Sequence, residues 1–317
     1  MISISRSLGR DLRAAIRKLG TSRSATPPPI ELMAGRGGLT ICSTGTDVSV
    51  SVHVPGRFPE ARLLVPAAAL ADCEGRDDRL VTFRAGRSGR IAVDWTEAGQ
   101  PRNREYPTPA SGLPFPKPPT RFAPTSGELL HALDAAGRVT AKDSASRYVL
   151  NGIQLRGSGE IVATDSKQLL LQGGFPFPWS GDVLVPRSDL FAILASLTTG
   201  PIRVARTPTH IWIERGGWTV ALRIQEGKFP DARTLVARAR RTFRRCPVRL
   251  RPGVSCSHSA VYARSGNRSC RAPNRPWWCP VSRPSATLPR ASRPRTAPNA
   301  CRGFVSHRDR WRDRRTR

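Results

Sequence analysis

Lysine stops at Lys228, and the rest of the chain uses arginine alone for positive charge. No apolar run approaches the 18 or more residues of a membrane span. The N-terminus is Arg- and Ser-rich, as organellar presequences are, but it lacks the apolar core of a secretory signal. The seven cysteines are odd in number and include no Cys-x-x-Cys pair. Their spacings fit neither a zinc ribbon nor a compact disulfide framework. The five histidines show no His-x-x-x-His spacing, and no Gly-x-x-x-x-Gly-Lys-Ser/Thr phosphate loop occurs. These absences argue against a membrane protein, a disulfide scaffold, a zinc enzyme and a P-loop NTPase.

What is present is unevenly spread. The net charge is +29 over 317 residues. From Arg233 onward 23 arginines face two aspartates, a balance of +21, so the first 232 residues carry only +8. Five of the cysteines lie in the tail; Cys42 and Cys73 are in the body, where free thiols fit a reducing cytosol. Beyond Leu235 the apolar periodicity disappears, and so dense a charge with so few aliphatic residues predicts disorder over 236–317. Two readings of that tail stand. One is an Arg-rich arm held to nucleic acid through phosphates. The other is a shifted reading frame in GC-rich coding sequence, which favours Arg, Pro, Ala and Ser and excludes Lys.

The body reads as two repeats. Met1–Ser5 alternates like a short strand. Leu8, Leu12, Ile16 and Leu19 then recur at helical spacing, with Arg10, Arg13 and Arg17 on another side. Strands follow at 30–33, 39–43 and 48–54. Leu63-Leu-Val-Pro66 leads into an Ala-rich helix ending near Gly75, and strands at 80–84 and 90–95 flank the turn at 86–89. A proline-rich stretch over 104–124 reads as a stiff linker. The pattern then restarts, with a helix on Leu129, Leu130, Leu133 and Ala136 and strands at 148–155, 160–164 and 169–172. Val183-Leu-Val-Pro186 leads into a helix carrying Leu190 to Leu197, and strands at 202–205, 210–214 and 218–224 close the unit. Ile30 matches Leu150, Thr44 matches Thr164 and Leu64-Val-Pro66 matches Leu184-Val-Pro186, each at an offset of 120, while Leu12 and Ile16 match Leu129 and Leu133 at 117. Such constant offsets indicate a duplicated domain.

Four motifs in the second repeat carry a resemblance: Arg147-Tyr-Val-Leu-Asn-Gly152, Ile161-Val-Ala-Thr-Asp165, Val183-Leu-Val-Pro186 and Gly227-Lys-Phe-Pro-Asp231. In this order they resemble the middle domain of the bacterial replicative sliding clamp, the beta subunit of DNA polymerase III. The resemblance implies an α+β DNA-clamp fold of antiparallel sheets with helices on one side. It divides the chain into an N-terminal clamp domain at 1–106, a linker at 107–124, a middle clamp domain at 125–235 and the tail at 236–317, which stands where the family has a third domain. The implied function is processivity: a cytoplasmic, non-catalytic accessory subunit that encircles duplex DNA and tethers the polymerase. Its implied partners are double-stranded DNA, the polymerase III catalytic subunit, the clamp loader and further copies of itself, a dimeric ring in the family. No cofactor is implied.

Such a ring is lined by long basic side chains facing phosphates without reading sequence. Arg10, Arg13, Arg17 and Lys18 on the first helix are the candidates, with Arg23 in the loop where the family carries a DNA-contacting arginine. Arg138 and Lys142 are the weaker candidates of the second repeat, beside Glu128 and Asp134. The family's groove for partner peptides would use Arg147, Leu150, Thr164, Leu169, Pro230 and Leu235, aliphatic walls with polar edges. After Thr164-Asp165 the family commonly has a glycine, a histidine or similar residue, then arginine; this chain has Ser166-Lys167-Gln168, which leaves Lys167 as the nearby cation. Leu150 and Leu169 also read simply as core residues. Without the third domain the usual ring closure and half the groove are missing, so a non-ring DNA-binding protein using the basic arm is the competing reading. Ser43-Thr-Gly-Thr-Asp47 lacks a positioned base and reads as a strand-end turn, and no catalytic or metal site emerges.

Overall fold

The alternation of Met1–Ser5 becomes strand β1 (Ile2–Ser5), whose Ile2 and Ile4 enter the core. Ser5 ends the strand and starts helix α1 (Arg6–Ile16): its hydroxyl accepts the Leu8 amide at 3.1 Å. A serine here satisfies one of the amides that a helix N-terminus leaves unpaired. Gly9, Leu12, Ala15 and Ile16 face inward, at the spacing of one helical stripe, and Leu8 is only half-buried. The computed structural model describes residues 1–19, 27–141 and 149–231, and the backbone of 260–264.

The first half continues with β2 (Ile30–Gly35), β3 (Gly38–Thr44), β4 (Val48–Val54), β5 (Ala61–Val65), α2 (Ala68–Cys73), β6 (Leu80–Ala85), β7 (Arg90–Glu97) and β8 (Gln100–Pro107). The second repeats it with β9 (Ala123–Thr125), α3 (Leu129–Val139), β10 (Gly152–Arg156), β11 (Glu160–Thr164), β12 (Gln168–Gln172), β13 (Asp182–Pro186), α4 (Leu190–Leu197), β14 (Ile202–Arg206), β15 (His210–Arg215) and β16 (Trp218–Arg223). A last strand, β17 (Ala260–Arg264), lies within the Arg-rich tail. The rest of the tail is outside the described residues.

Each half builds two antiparallel four-stranded sets. The first has orders β1-β6-β7-β8 and β5-β2-β3-β4; the second has β9-β14-β15-β16 and β13-β10-β11-β12. The halves join where β4 pairs with β16, from Trp218 opposite Val52 to Leu222 opposite Val48, giving one eight-stranded sheet. The amide of His53 donates to Gly217 O at 2.9 Å and that of Arg223 to Asp47 O at 2.8 Å at the two ends of this seam. Helices follow the same continuity, α1 packing on both α2 and α4, and α4 on α3. One apolar core runs through both halves, from Phe83 and Val93 to Leu133, Phe191 and Val220.

The duplication is confirmed with one adjustment. Leu32 pairs with Ile41 as Leu155 pairs with Ile161, so β3 and β11 keep the offset of 120 while β2 and β10 differ by 123. Ile30 therefore corresponds to Ile153, not Leu150. Strand β8 was hidden in sequence: it is polar, exposed but for Tyr106, and contains Pro101. It is nonetheless held to β7 by a tight turn with Ala98 and Gly99 at φ 49° and 80°, the geometry a two-residue hairpin requires. The proline-rich stretch after it is docked, with Phe115 edge-on to the buried Trp212 at a centroid distance of 6.1 Å.

Candidate functional site

Helix α1 presents the expected cations, but most are already engaged. Arg10 pairs with Asp11 at 3.1 Å, and Lys18 reaches across to Asp189, next to α4, at 3.2 Å. Arg13 is bonded to Glu74 beyond the end of α2. Arg17, at the C-cap of α1, is exposed and has no ion pair among the described residues. In the second half Arg138 is held by Asp134 one turn earlier on α3 at 2.6 Å. Arg187, just before α4 and beside Gly137 of α3, is a further exposed cation that sequence reasoning missed, because an isolated arginine in a strand-to-helix turn carries no pattern. Arg23 and Lys142 lie outside the described residues. The helix side is thus mildly basic and laced with pairs that are individually weak, about 0–1 kcal/mol each, and that phosphates can displace.

A deeper arginine sets this face in place. Arg6 is buried, and its guanidinium donates to Cys73 O at 3.1 Å, Glu74 O at 3.0 Å and Thr96 O at 3.1 Å while pairing with Asp77 at 3.0 Å. It satisfies the carbonyls at the end of α2 and ties α1 to both α2 and β7. Gly75 allows this approach: a Cβ there would stand 2.8 Å from the Arg6 guanidinium carbon.

The residues assigned to a peptide groove are only partly gathered. Leu169 is buried with Val162 against Leu171 and Phe229. Phe229 and Pro230 also line a cleft of about 580 Å³ with Gln154, Arg156, Ser158 and Asp182. Leu150 is buried outside that cluster, its carbonyl accepting the Ala141 amide at 2.9 Å. The Thr164 hydroxyl is spent within its own turn, donating to Gln168 O at 2.6 Å and accepting the Ser166 amide at 3.1 Å. Beside it, burial disfavours the Asp165 charge, but the amides of Gln168 and Lys167 outweigh that and hold its carboxyl below the ordinary carboxylate value. These bonds hold Ser166 at φ 76° and present exposed Lys167 at the tip. Arg147 and Leu235 lie outside the described residues.

Nothing gathered here resembles a nucleophile or a metal site. Burial, reinforced by Glu31, pushes the Cys42 thiol up to about 12, and burial pushes Cys73 up to about 12 as well. Both act as small core residues. Among the described residues no three His, Cys, Asp or Glu side chains converge, and no helix is long and apolar enough to cross a membrane.

The comparisons follow the topology. The beta sliding clamp of Pseudomonas aeruginosa is 26% identical over 218 residues, covering 63% of this chain and 58% of that protein. The chain is thus similar in sequence to a bacterial beta sliding clamp. The crystal structure of the Pseudomonas aeruginosa clamp bound to griselimycin superposes with a TM-score of 0.59 at 21% identity, over 74% of this chain and 66% of that one. The Thermotoga maritima DNA polymerase III beta subunit gives a TM-score of 0.59 at 18% identity, over 74% and 67%. The fold is therefore the DNA-clamp fold. No family model matches the chain, and the chain spans about three fifths of the length of the curated clamp it matches.

Proposed function

We propose that this chain is a processivity clamp: a non-catalytic subunit that surrounds duplex DNA and tethers the replicative polymerase. The observation that carries this reading is the seam between β4 and β16. It joins two copies of one domain into a continuous sheet and aligns their helices side by side, an architecture suited to a curved wall around a duplex rather than to an enclosed reaction site. The domains are 1–106 and 125–235, joined by 107–124. Arg10, Arg13, Arg17 and Lys18, with Arg138 and Arg187, supply a phosphate-facing surface that carries no base readout. Arg23 and Lys142 would extend that surface. The groove for polymerase and loader peptides centres on Leu169, Phe229 and Pro230, with Lys167 at its rim and Arg147, Leu150, Thr164 and Leu235 as its remaining members. The chain works in the cytoplasm without a cofactor of its own, and as a homo-oligomer once it is assembled on DNA.

Primer extension tests the tethering directly. With a bacterial polymerase III catalytic subunit and its clamp loader on a long primed template, adding the chain lengthens products per binding event. Product lengths that do not respond to the chain, with DNA binding intact, contradict the clamp reading. If deletion of 236–317 then abolishes that binding, the basic arm is the DNA-binding element instead.

A further inference from the structure

The duplicated topology shows what belongs beside β12. Strand β12 is the second-half counterpart of β4: Thr164 pairs with Leu169 as Thr44 pairs with Ser49. The free side of β4 is taken by β16, and the free side of β12 is taken by β17. The registers are the same. Val48 faces Leu222 and Val52 faces Trp218, while their counterparts Gln168 and Gln172 face Arg264 and Ala260. Five tail residues therefore sit on the second half as the closing strand of one domain sits on its neighbour. Ala-Val-Tyr-Ala is also a stretch of the tail in which β-formers outnumber arginine.

Among the described residues the complementary edge is open. Strand β8 ends the order β1-β6-β7-β8, in the place that β16 holds in the second half. Its hairpin turn, Ala98 and Gly99 at φ 49° and 80°, matches Gly216 and Gly217 at 56° and 82°. The closing pairs Glu97–Gln100 and Arg215–Trp218 align at an offset of 118, which puts Pro101, Asn103 and Glu105 where Thr219, Ala221 and Arg223 face β4. Proline has no amide to donate, so β8 brings one fewer donor to such a seam than β16 does. A second copy's β8 has the right hairpin for β12 but is the weaker strand.

We propose that Ala260–Arg264 is an intramolecular edge plug: it fills the strand-accepting side of β12 and so excludes the β8 edge of a second copy. Tethering favours the plug, since a segment linked to its site competes at an effective concentration near the millimolar range. It also removes the hazard of an unpaired edge, which otherwise templates association. The inference rests on the strand registers and not on DNA binding.

The test uses the full chain with Val261→Pro and Ala263→Pro together. These positions correspond to Thr219 and Ala221, whose neighbours Gly217 and Arg223 bond toward β4, so the prolines remove the amides directed at β12. Hydrogen exchange at Leu169 and Leu171 should accelerate at least tenfold, while Ser49 and Ser51 on β4 keep their protection and report an intact fold. Light scattering should show a single chain before the change and concentration-dependent assembly after it. Adding Asn103→Pro on β8 should suppress that assembly. Unchanged exchange at Leu169 and Leu171 overturns the plug. Faster exchange without assembly, or assembly indifferent to Asn103→Pro, overturns the competition with a second copy.

Discussion

The two halves share one plan but are secured differently. In the first, a buried arginine organises the helix layer: Arg6 closes three carbonyls and one carboxylate around the end of α2. At the offset that relates α1 to α3, its place in the second half falls to Ala123, and the end of α4 is closed locally instead, the Thr198 hydroxyl donating to Leu194 O at 2.6 Å. The seams differ too. β4 is closed by a strand of the body, β12 by a strand of the tail. The lesson is that a duplicated fold conserves the geometry of its edges more strictly than the chemistry that holds them.

The sharpest way to break this comparison is to place proline at equivalent seats. Ala221 is fully buried in β16, and Ala221→Pro should cost more than about 3 kcal/mol, as an interior strand loses a ladder bond and takes a clash. Ala263→Pro at the matching place in β17 should leave global stability within about 0.5 kcal/mol. Urea unfolding of both variants checks the contrast, and equal losses would mean that the tail strand is integral to the core. Next in size is Arg6→Met. It strands buried carbonyls and the Asp77 carboxylate, and should cost about 3 kcal/mol.

A subtler asymmetry is in proton linkage. Burial, and then the Arg223 charge, hold His210 below its ordinary value of 6.5. In the window between its folded value and 6.5 the unfolded chain binds more protons, so stability falls as pH drops through that window and is constant above it with respect to this group. His210→Gln should flatten that slope in denaturation curves taken across it. The first half has Ala92 at the matching position and contributes no such term. The smallest effects are at the DNA face. Arg17→Ala should lower the salt slope of duplex binding by about one, because that side chain has no ion pair among the described residues. Arg138→Ala should change it less, since Asp134 already neutralises that cation. Salt titrations of binding separate the two.

Most of this architecture was legible in sequence where residues alternate cleanly. Val48–Val54, His210–Arg215 and the two Leu-Val-Pro strands announced themselves, and the repeat followed from them. β8 was not legible, because an edge strand made of Gln, Pro, Arg, Asn and Glu has the composition of a linker. Nor was β17, whose five residues are surrounded by arginine and proline and gain order from the edge they meet. Among site residues, sequence placed Arg10, Arg13, Arg17 and Lys18 on an exposed helix face, but the acids that pair with three of them come mainly from elsewhere in the fold. Thr164 illustrates the opposite limit: its hydroxyl is bonded within its own turn, to Gln168 O and the Ser166 amide, which a Thr-Asp pair at a strand end does not reveal in sequence.

The most direct measurement of the central claim is retention on circular against linear duplex DNA. The chain is assembled on a nicked plasmid with a clamp loader, washed at high salt, and the plasmid is then cut once. A clamp held by topology stays through the wash and is lost on linearisation. Release by salt alone, equal on circular and linear DNA, would show binding by charge and contradict the clamp account.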